Sequence, residues 1–273
     1  MTLSLDDRQR AMLAEMGIRL FEALPPSAPV AVEPAHVAHV ARAAGAARAL
    51  TPADEGRAAV PAVALPTADR ALVAAPAPLG PRPTGVEAMD WEALEQAVSG
   101  CEACGLCRGR RQTVFGTGDR QADWMIVGEA PGEQEDLRGE PFVGNAGQLL
   151  DSMLKAIGLD RGHRVYIANV IKCRPPDNRN PDPAEVAQCE PFLRRQIALV
   201  KPRIILAMGR FAVQTLLATQ EPIGKLRGRT YQYQGVPVVV TYHPAYLLRN
   251  LPDKAKAWAD LCLALDQLPT EPA

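Results

Sequence analysis

No stretch of this 273-residue chain approaches the ~20 consecutive apolar residues that a membrane-crossing helix requires, so no membrane partner is expected. An excess of one charge is missing too: 30 Lys and Arg stand against 31 Asp and Glu, a formal net charge of −1. That balance excludes a histone-like binder held to nucleic acid by its overall field; any such contact has to be local and shaped. The opening residues MTLSLDDRQR carry acids and no apolar segment of the secretory kind, so a cytoplasmic location is expected. No internal repeat is present. Aromatic residues are scarce, at 5 % of the chain, and none falls between residues 25 and 85.

That gap in aromatics coincides with a change of texture. Residues 25–85 hold 20 Ala and 11 Pro among 61 positions. Proline at this frequency interrupts helices, and small side chains bury too little surface to offset the entropy of ordering. The segment is therefore expected to be a disordered linker. Ahead of it, Met12, Leu13, Met16, Leu20, Phe21 and Leu24 recur at helical spacing, which predicts an amphipathic helix within residues 1–24, either idle or docked on the body or on an unidentified protein partner.

From residue 86 to 273 the pattern is that of a globular domain, and 47 % apolar residues overall allow a proper core. WMIVGEAPG, VYIANVIKC, RIILAMG and VPVVVTYHP are short apolar runs that each end in turn or polar residues. Helical patterns alternate with them: VEAMDWEALEQAV, GQLLDSMLKAIGL, PAEVAQCEPFLRRQIALV, RFAVQTLLATQ and DKAKAWADLCLALDQL. Near-continuous apolar strands between helices predict a three-layer α/β/α fold around a parallel sheet of four strands. Ligands of such sheets sit at the carboxyl ends of the strands.

The six cysteines suggest metal or redox use before disulfides. Cys101 and Cys104 form a CxxC, Cys173 ends the second predicted strand, and Cys189 follows sixteen residues later. Thiols from two distant segments suit zinc or an iron–sulfur cluster, and their spacing does not separate the two. Cys107 is a third nearby thiol, ligand or bystander. Cys262 falls at an apolar position of the last helix and reads as core.

Four motifs fall at the predicted ligand edge. GEAPG, Gly128 to Gly132, makes a tight turn that lets backbone N–H groups face a ligand. EPFVGNAG places Phe142 in the following loop. Asn169 is an amide in an otherwise apolar strand, and a buried amide has to find partners in backbone or ligand. HPAYLLR, His243 to Arg249, follows the last strand.

Taken in order, GEAPG, PFVGNAGQLL, NVIKCRPPDNR and HPAYLL, with the CxxC ahead and Cys189 behind, closely resemble family 4, the iron–sulfur branch of the uracil-DNA glycosylase superfamily. The resemblance runs from Cys101 to Leu265 and says nothing of residues 1–85. It implies a DNA-repair enzyme that flips uracil from DNA and hydrolyses its N-glycosidic bond. It implies a [4Fe–4S] cluster on Cys101, Cys104, Cys173 and Cys189, with Cys107 a bystander. Phe142 is then the aromatic that stacks on the base, Asn169 reads the pyrimidine edge, and His243 donates to O2. Glu129, Ala130 and Pro131 line the pocket, and Asn178 helps to position water. Tyr246 and Leu247 form an apolar wedge for the gap in the duplex, with Arg249 on a phosphate.

In the best-known family of that superfamily an aspartate orients water two places after the motif glycine, where this chain has Ala130. Glu129 stands one place earlier. Stabilisation of the departing uracil anion by His243 and backbone N–H groups is therefore expected to dominate. A monomer acting on uracil-containing DNA is expected. The alternative reading is an iron–sulfur DNA-binding or electron-transfer module without glycosylase activity, which does not need Phe142, Asn169 and His243 together.

Overall fold

The computed structural model describes residues 79–268; the helix expected within residues 1–24 and nearly all of segment 25–85 lie outside them. The packed body begins ahead of position 86. Gly80 N donates to Ala103 O at 3.0 Å, Gln188 Nε2 donates to Gly80 O at 3.1 Å, and Arg82 pairs with Glu190 at 3.1 Å.

In chain order the elements are α1 (Trp91–Ser99), β1 (Thr117–Gly118), β2 (Trp124–Gly128), α2 (Glu133–Arg138), α3 (Asn145–Ala156), β3 (Val165–Asn169), α4 (Pro183–Val200), β4 (Ile204–Met208), α5 (Arg210–Leu217), α6 (Ile223–Leu226), β5 (Thr230–Tyr233), β6 (Val236–Thr241), α7 (Pro244–Leu247) and α8 (Lys254–Asp266). The sheet runs β1-β3-β2-β4-β6-β5. Its four inner strands are parallel, as their apolar runs predict. The sheet nevertheless has six strands and is mixed: β1 pairs antiparallel with β3, and β5 antiparallel with β6. These edge strands correct the four-stranded expectation. The hairpin between β5 and β6 turns on Gln234 and Gly235, both with positive φ (49° and 83°), which brings the strands back with the twist that a two-residue connection favours.

Period-two alternation sends each inner strand's side chains into two separate cores. Met125 and Val127 join Leu94 and Val98 of α1, Phe192 and Ile197 of α4, and Val213 of α5. Trp124 and Ile126 join Leu150 and Met153 of α3 and Trp258 and Leu261 of α8 on the other face. Each fully buried side chain of this size contributes ~1.5–3 kcal/mol, so both faces need cover and the strands carry no polar alternation. Because the inner strands are parallel, Gly128 lies beside Asn169 and Met208 beside Thr241 along one edge. The loops that continue from these ends build the site.

Candidate functional site

Gly128 is the meeting point of two of the predicted side chains. A Cβ placed there would lie 2.4 Å from Asn169 Oδ1 and 2.6 Å from Phe142 Cζ. Both side chains are buried, at 2 % and 5 % exposure. Asn169 Oδ1 has no hydrogen-bond partner among the described residues, although a buried polar atom left unpaired costs about 1–3 kcal/mol. An acceptor held in this way is poised for a donor on a ligand.

Phe142 adopts a left-handed backbone conformation, φ 56°, which costs a non-glycine residue about 1–3 kcal/mol. Its neighbours compensate. Arg161 Nη2 donates to Phe142 O at 2.7 Å, while the Glu135 carboxylate accepts from Val143 N at 2.9 Å, Gly144 N at 3.1 Å and Gly132 N at 3.1 Å. Hydrogen bonds to charged groups are worth about 1.5–3 kcal/mol each, enough to hold the strained turn and aim the ring. Glu135 thus ties the GEAPG turn to the Phe142 loop. Neither Glu135 nor Arg161 is anticipated from the sequence, though the GEQE run that opens α2 is a helix-start signal that points to Glu135.

His243 caps α7, its Nδ1 accepting from Ala245 N at 3.2 Å. The proton of the neutral ring therefore sits on Nε2, which is left free to donate. Burial and the nearby Arg249 cation push its pKa down from 6.5 to about 4, against the opposing pull of Glu135. The ring packs 5.3 Å from Phe142, centroid to centroid, and Gly209 backs it, since a Cβ there would stand 3.1 Å from His243 Cβ.

A groove of about 890 Å³ opens over these strand ends, with Glu129, Ala130, Pro131, Asn178, His243, Tyr246 and Arg249 on its wall. Burial raises the carboxyl pKa of Glu129, and Arg210 across the groove opposes that shift. Asn178 is exposed, with φ 53°, and its Oδ1 accepts from Arg174 Nε at 2.8 Å. Arg210 and Arg249 place cations on the wall; Arg210 is absent from the sequence-based set because an arginine opening a helix carries no distinctive signal.

The predicted wedge needs correction. Leu247 is fully buried in the core against α3 and α8, because the single turn of α7 points it inward. Leu248, 42 % exposed, and Leu251, 58 % exposed, are the large apolar side chains on the surface in the segment that follows α7. Tyr246 stacks on Tyr242 at 4.9 Å and donates its hydroxyl to Asp253 Oδ2 at 2.6 Å, so it is a braced wall rather than a free wedge.

A small cavity of about 20 Å³ is lined by Cys101, Cys104, Cys173 and Cys189, with Arg110 and Lys172. Cys107 and Cys262 are not on its wall. Arg110 Nη1 donates to Cys173 Sγ at 3.3 Å, and Lys172 N to Cys189 Sγ at 3.3 Å. Burial pushes the Cys173 thiol up to about 11 and the Cys189 thiol up to about 12, Arg110 and Lys172 respectively opposing. Such thiols give up their protons only to a strong cationic partner. Among the described residues no three His, Cys, Asp or Glu side chains converge tightly enough for a metal ion; the four thiols line one small cavity instead.

The uracil DNA glycosylase superfamily model matches residues 115–262. The chain is 42 % identical over 183 residues to the type-4 uracil-DNA glycosylase of Pyrobaculum aerophilum, covering 64 % of this chain and 93 % of that one. It is 43 % identical to the Archaeoglobus fulgidus type-4 enzyme, over 60 % of this chain and 84 % of the relative. With the Thermotoga maritima type-4 enzyme the identity is 44 %, over 58 % and 83 %.

Proposed function

The chain belongs to the uracil-DNA glycosylase superfamily as a type-4 member, and from that premise we infer that it excises uracil from DNA by hydrolysing the N-glycosidic bond, the opening step of base-excision repair. The observation that carries this reading is the buried Asn169 Oδ1, unpartnered among the described residues, beside the Phe142 ring, with His243 Nδ1 already accepting from Ala245 N.

A base stacked in a duplex is out of reach of such a pocket, so the nucleotide has to swing out, at a cost of a few kcal/mol. Phe142 takes one face of the extruded uracil. Asn169 Oδ1 accepts from N3–H and its amide NH₂ donates to O4. Cytosine presents a bare N3 and an amino group there, so donor would face donor and acceptor face acceptor. His243 donates through Nε2 to O2, where negative charge grows as the C1′–N1 bond breaks. A neutral imidazole is suited to this, because it keeps its proton available without drawing in a counter-ion. One such donor is worth roughly 3 kcal/mol, or about 10²-fold in rate. Ala130 offers no carboxylate to orient water, and leaving-group stabilisation carries the larger share. Leu248, not Leu247, is the side chain that enters the vacated stack, and Arg249 contacts a phosphate.

The cysteine cavity fits an iron–sulfur cluster. Its donor set is four thiols on the wall of one small cavity, two of them already accepting N–H bonds. Cys101, Cys104, Cys173 and Cys189 would hold a [4Fe–4S] group, which supplies a covalent tie between the segment after α1, the end of the Asn169 strand and α4. Hydrolysis moves no net electrons, so the residues of the pocket perform the reaction.

The test is incubation of the full chain with a labelled oligonucleotide bearing one uracil, beside the same strand bearing cytosine. Alkali-labile cleavage only at uracil is expected. No cleavage by an iron-loaded chain would refute the reading.

A further inference from the structure

The pocket and the cysteine cavity are joined by one stretch of chain, Asn169 to Cys173, in which every residue is buried. Its backbone is fastened to the turn after β2: Val170 N donates to Gly128 O at 3.0 Å and Ile171 N to Glu129 O at 3.2 Å. Within it sits Lys172, 1 % exposed. Its ammonium donates to Asn169 O at 2.8 Å and to Gln196 Oε1 at 2.6 Å. Gln196, fully buried on α4, is fixed in turn by donating to Phe115 O at 2.9 Å and Tyr166 Oη at 3.2 Å.

Both acceptors of the ammonium are neutral, and among the described residues no carboxylate pairs with it. A buried cation without a counter-charge is unfavourable, and a residue whose only task was to satisfy two neutral oxygens need not be a lysine. Among the described residues the counter-charge at hand is the cysteine cavity, whose wall Lys172 shares with Cys101, Cys104, Cys173 and Cys189 and whose Cys189 Sγ accepts from Lys172 N at 3.3 Å. Four thiolates around iron and sulfide carry net negative charge, and surrounding charge and N–H groups tune such centres.

We propose that Lys172 is a positioning residue shared by the two sites: its ammonium answers the negative charge of the thiolate-bound cluster and, through the Asn169 carbonyl, holds the uracil-reading amide in line. The proposal rests on the uracil-excision reading above. It makes the alignment of Asn169 depend on an occupied cysteine cavity.

The test compares the full chain with Lys172→Met, which keeps the length and removes both charge and donor, and Lys172→Gln, which removes the charge and keeps an amide donor. Iron per chain, the reduction potential of the bound cluster, and single-turnover uracil excision by the iron-loaded fraction are measured. Loss of a neighbouring cation disfavours the electron-rich state, so the potential is expected to move to more negative values in both variants. Excision is expected to fall roughly tenfold in Lys172→Met, the size of one lost charged hydrogen bond, and less in Lys172→Gln. If the Met variant does not fold, the potential of the Gln variant decides. An unchanged potential, or wild-type excision by iron-loaded Lys172→Met, overturns the proposal. A wild-type chain that binds iron yet leaves uracil in place refutes the excision reading instead.

Discussion

The rings of Phe142 and His243 lie 5.3 Å apart, with their planes inclined by 30°. They arrive from distant parts of the chain, one on the strained loop ahead of α3 and the other at the head of α7, and both lie over strand ends that carry glycine, Gly128 and Gly209. In the excision reading Phe142 offers a face and His243 an edge to the same base. The space between them is set by backbone, which makes it sensitive to single atoms.

Gly128→Ala tests that sensitivity. Its methyl group would press on Asn169 Oδ1 at 2.4 Å and on the Phe142 ring at 2.6 Å. Overpacking of this kind costs about 1–3 kcal/mol of stability, which the domain should survive. Misplacement of the reading groups by even an ångström can cost about 10²-fold in rate. Single-turnover excision is therefore expected to drop by that order while thermal melting shifts by a few degrees. A near-normal rate would show that the approach at Gly128 is not needed.

Exchange of Leu247 and Leu248 for alanine separates core from surface. Leu247→Ala, at 0 % exposure, should cost about 2–5 kcal/mol of stability, read by denaturant melts. Leu248→Ala should leave stability within ~0.5 kcal/mol and slow excision from duplex more than from single strands, because only a duplex leaves a gap to fill. Equal effects on both substrates would remove Leu248 from the wedge role.

The cysteines divide four against two. Serine at Cys101, Cys104, Cys173 or Cys189 should abolish bound iron, while Cys107→Ser and Cys262→Ser should keep it, since neither lines the cavity. Iron and sulfide assays on the six purified variants check this. Full iron retention in Cys189→Ser would refute the ligand set.

Truncation is expected to be tolerated to residue 78 and harmful at residue 85. The longer cut removes Gly80 and Arg82, whose contacts with Ala103, Gln188 and Glu190 flank Cys104 and Cys189. Iron content after brief chelator exposure should match the full chain in the shorter deletion and fall in the longer one. Identical iron retention would mean that these contacts do not support the cavity.

Much of this architecture could be read from the residues alone, and the exceptions have physical causes. WMIV, VYIA, IILA and PVVV announce the inner strands because both faces of a parallel strand are covered. TYQY does not announce β5, because an edge strand needs only one buried face and its alternation is short. The ends of the inner strands, and hence Asn169 and His243, follow from the parallel topology. The inward turn of Leu247 does not, since the phase of a four-residue helix is set by what it packs against. Lys172 escapes notice in VIKC, where a lysine looks like the solvent-facing end of a strand; its burial depends on α4 and Gln196 arriving from elsewhere.

The central claim is that a neutral His243 stabilises the leaving uracil anion, and the pH profile of single-turnover excision tests it most directly, with His243→Ala and Glu129→Gln measured alongside. The ring's ordinary pKa of 6.5 is lowered to about 4 in the folded protein. Between those values the unfolded chain takes up a proton that folded His243 refuses, so this group's contribution to stability is complete above 6.5 and is lost as pH falls toward 4. The wild-type rate should accordingly stay level through neutral pH and decline only as pH approaches about 4, where the ring becomes cationic. His243→Ala should be slower by about 10²-fold or more across the level region, and Glu129→Gln should be milder. A wild-type rate that climbs on acidification through 6.5, or a Glu129→Gln variant that is dead while His243→Ala retains most activity, would contradict the account.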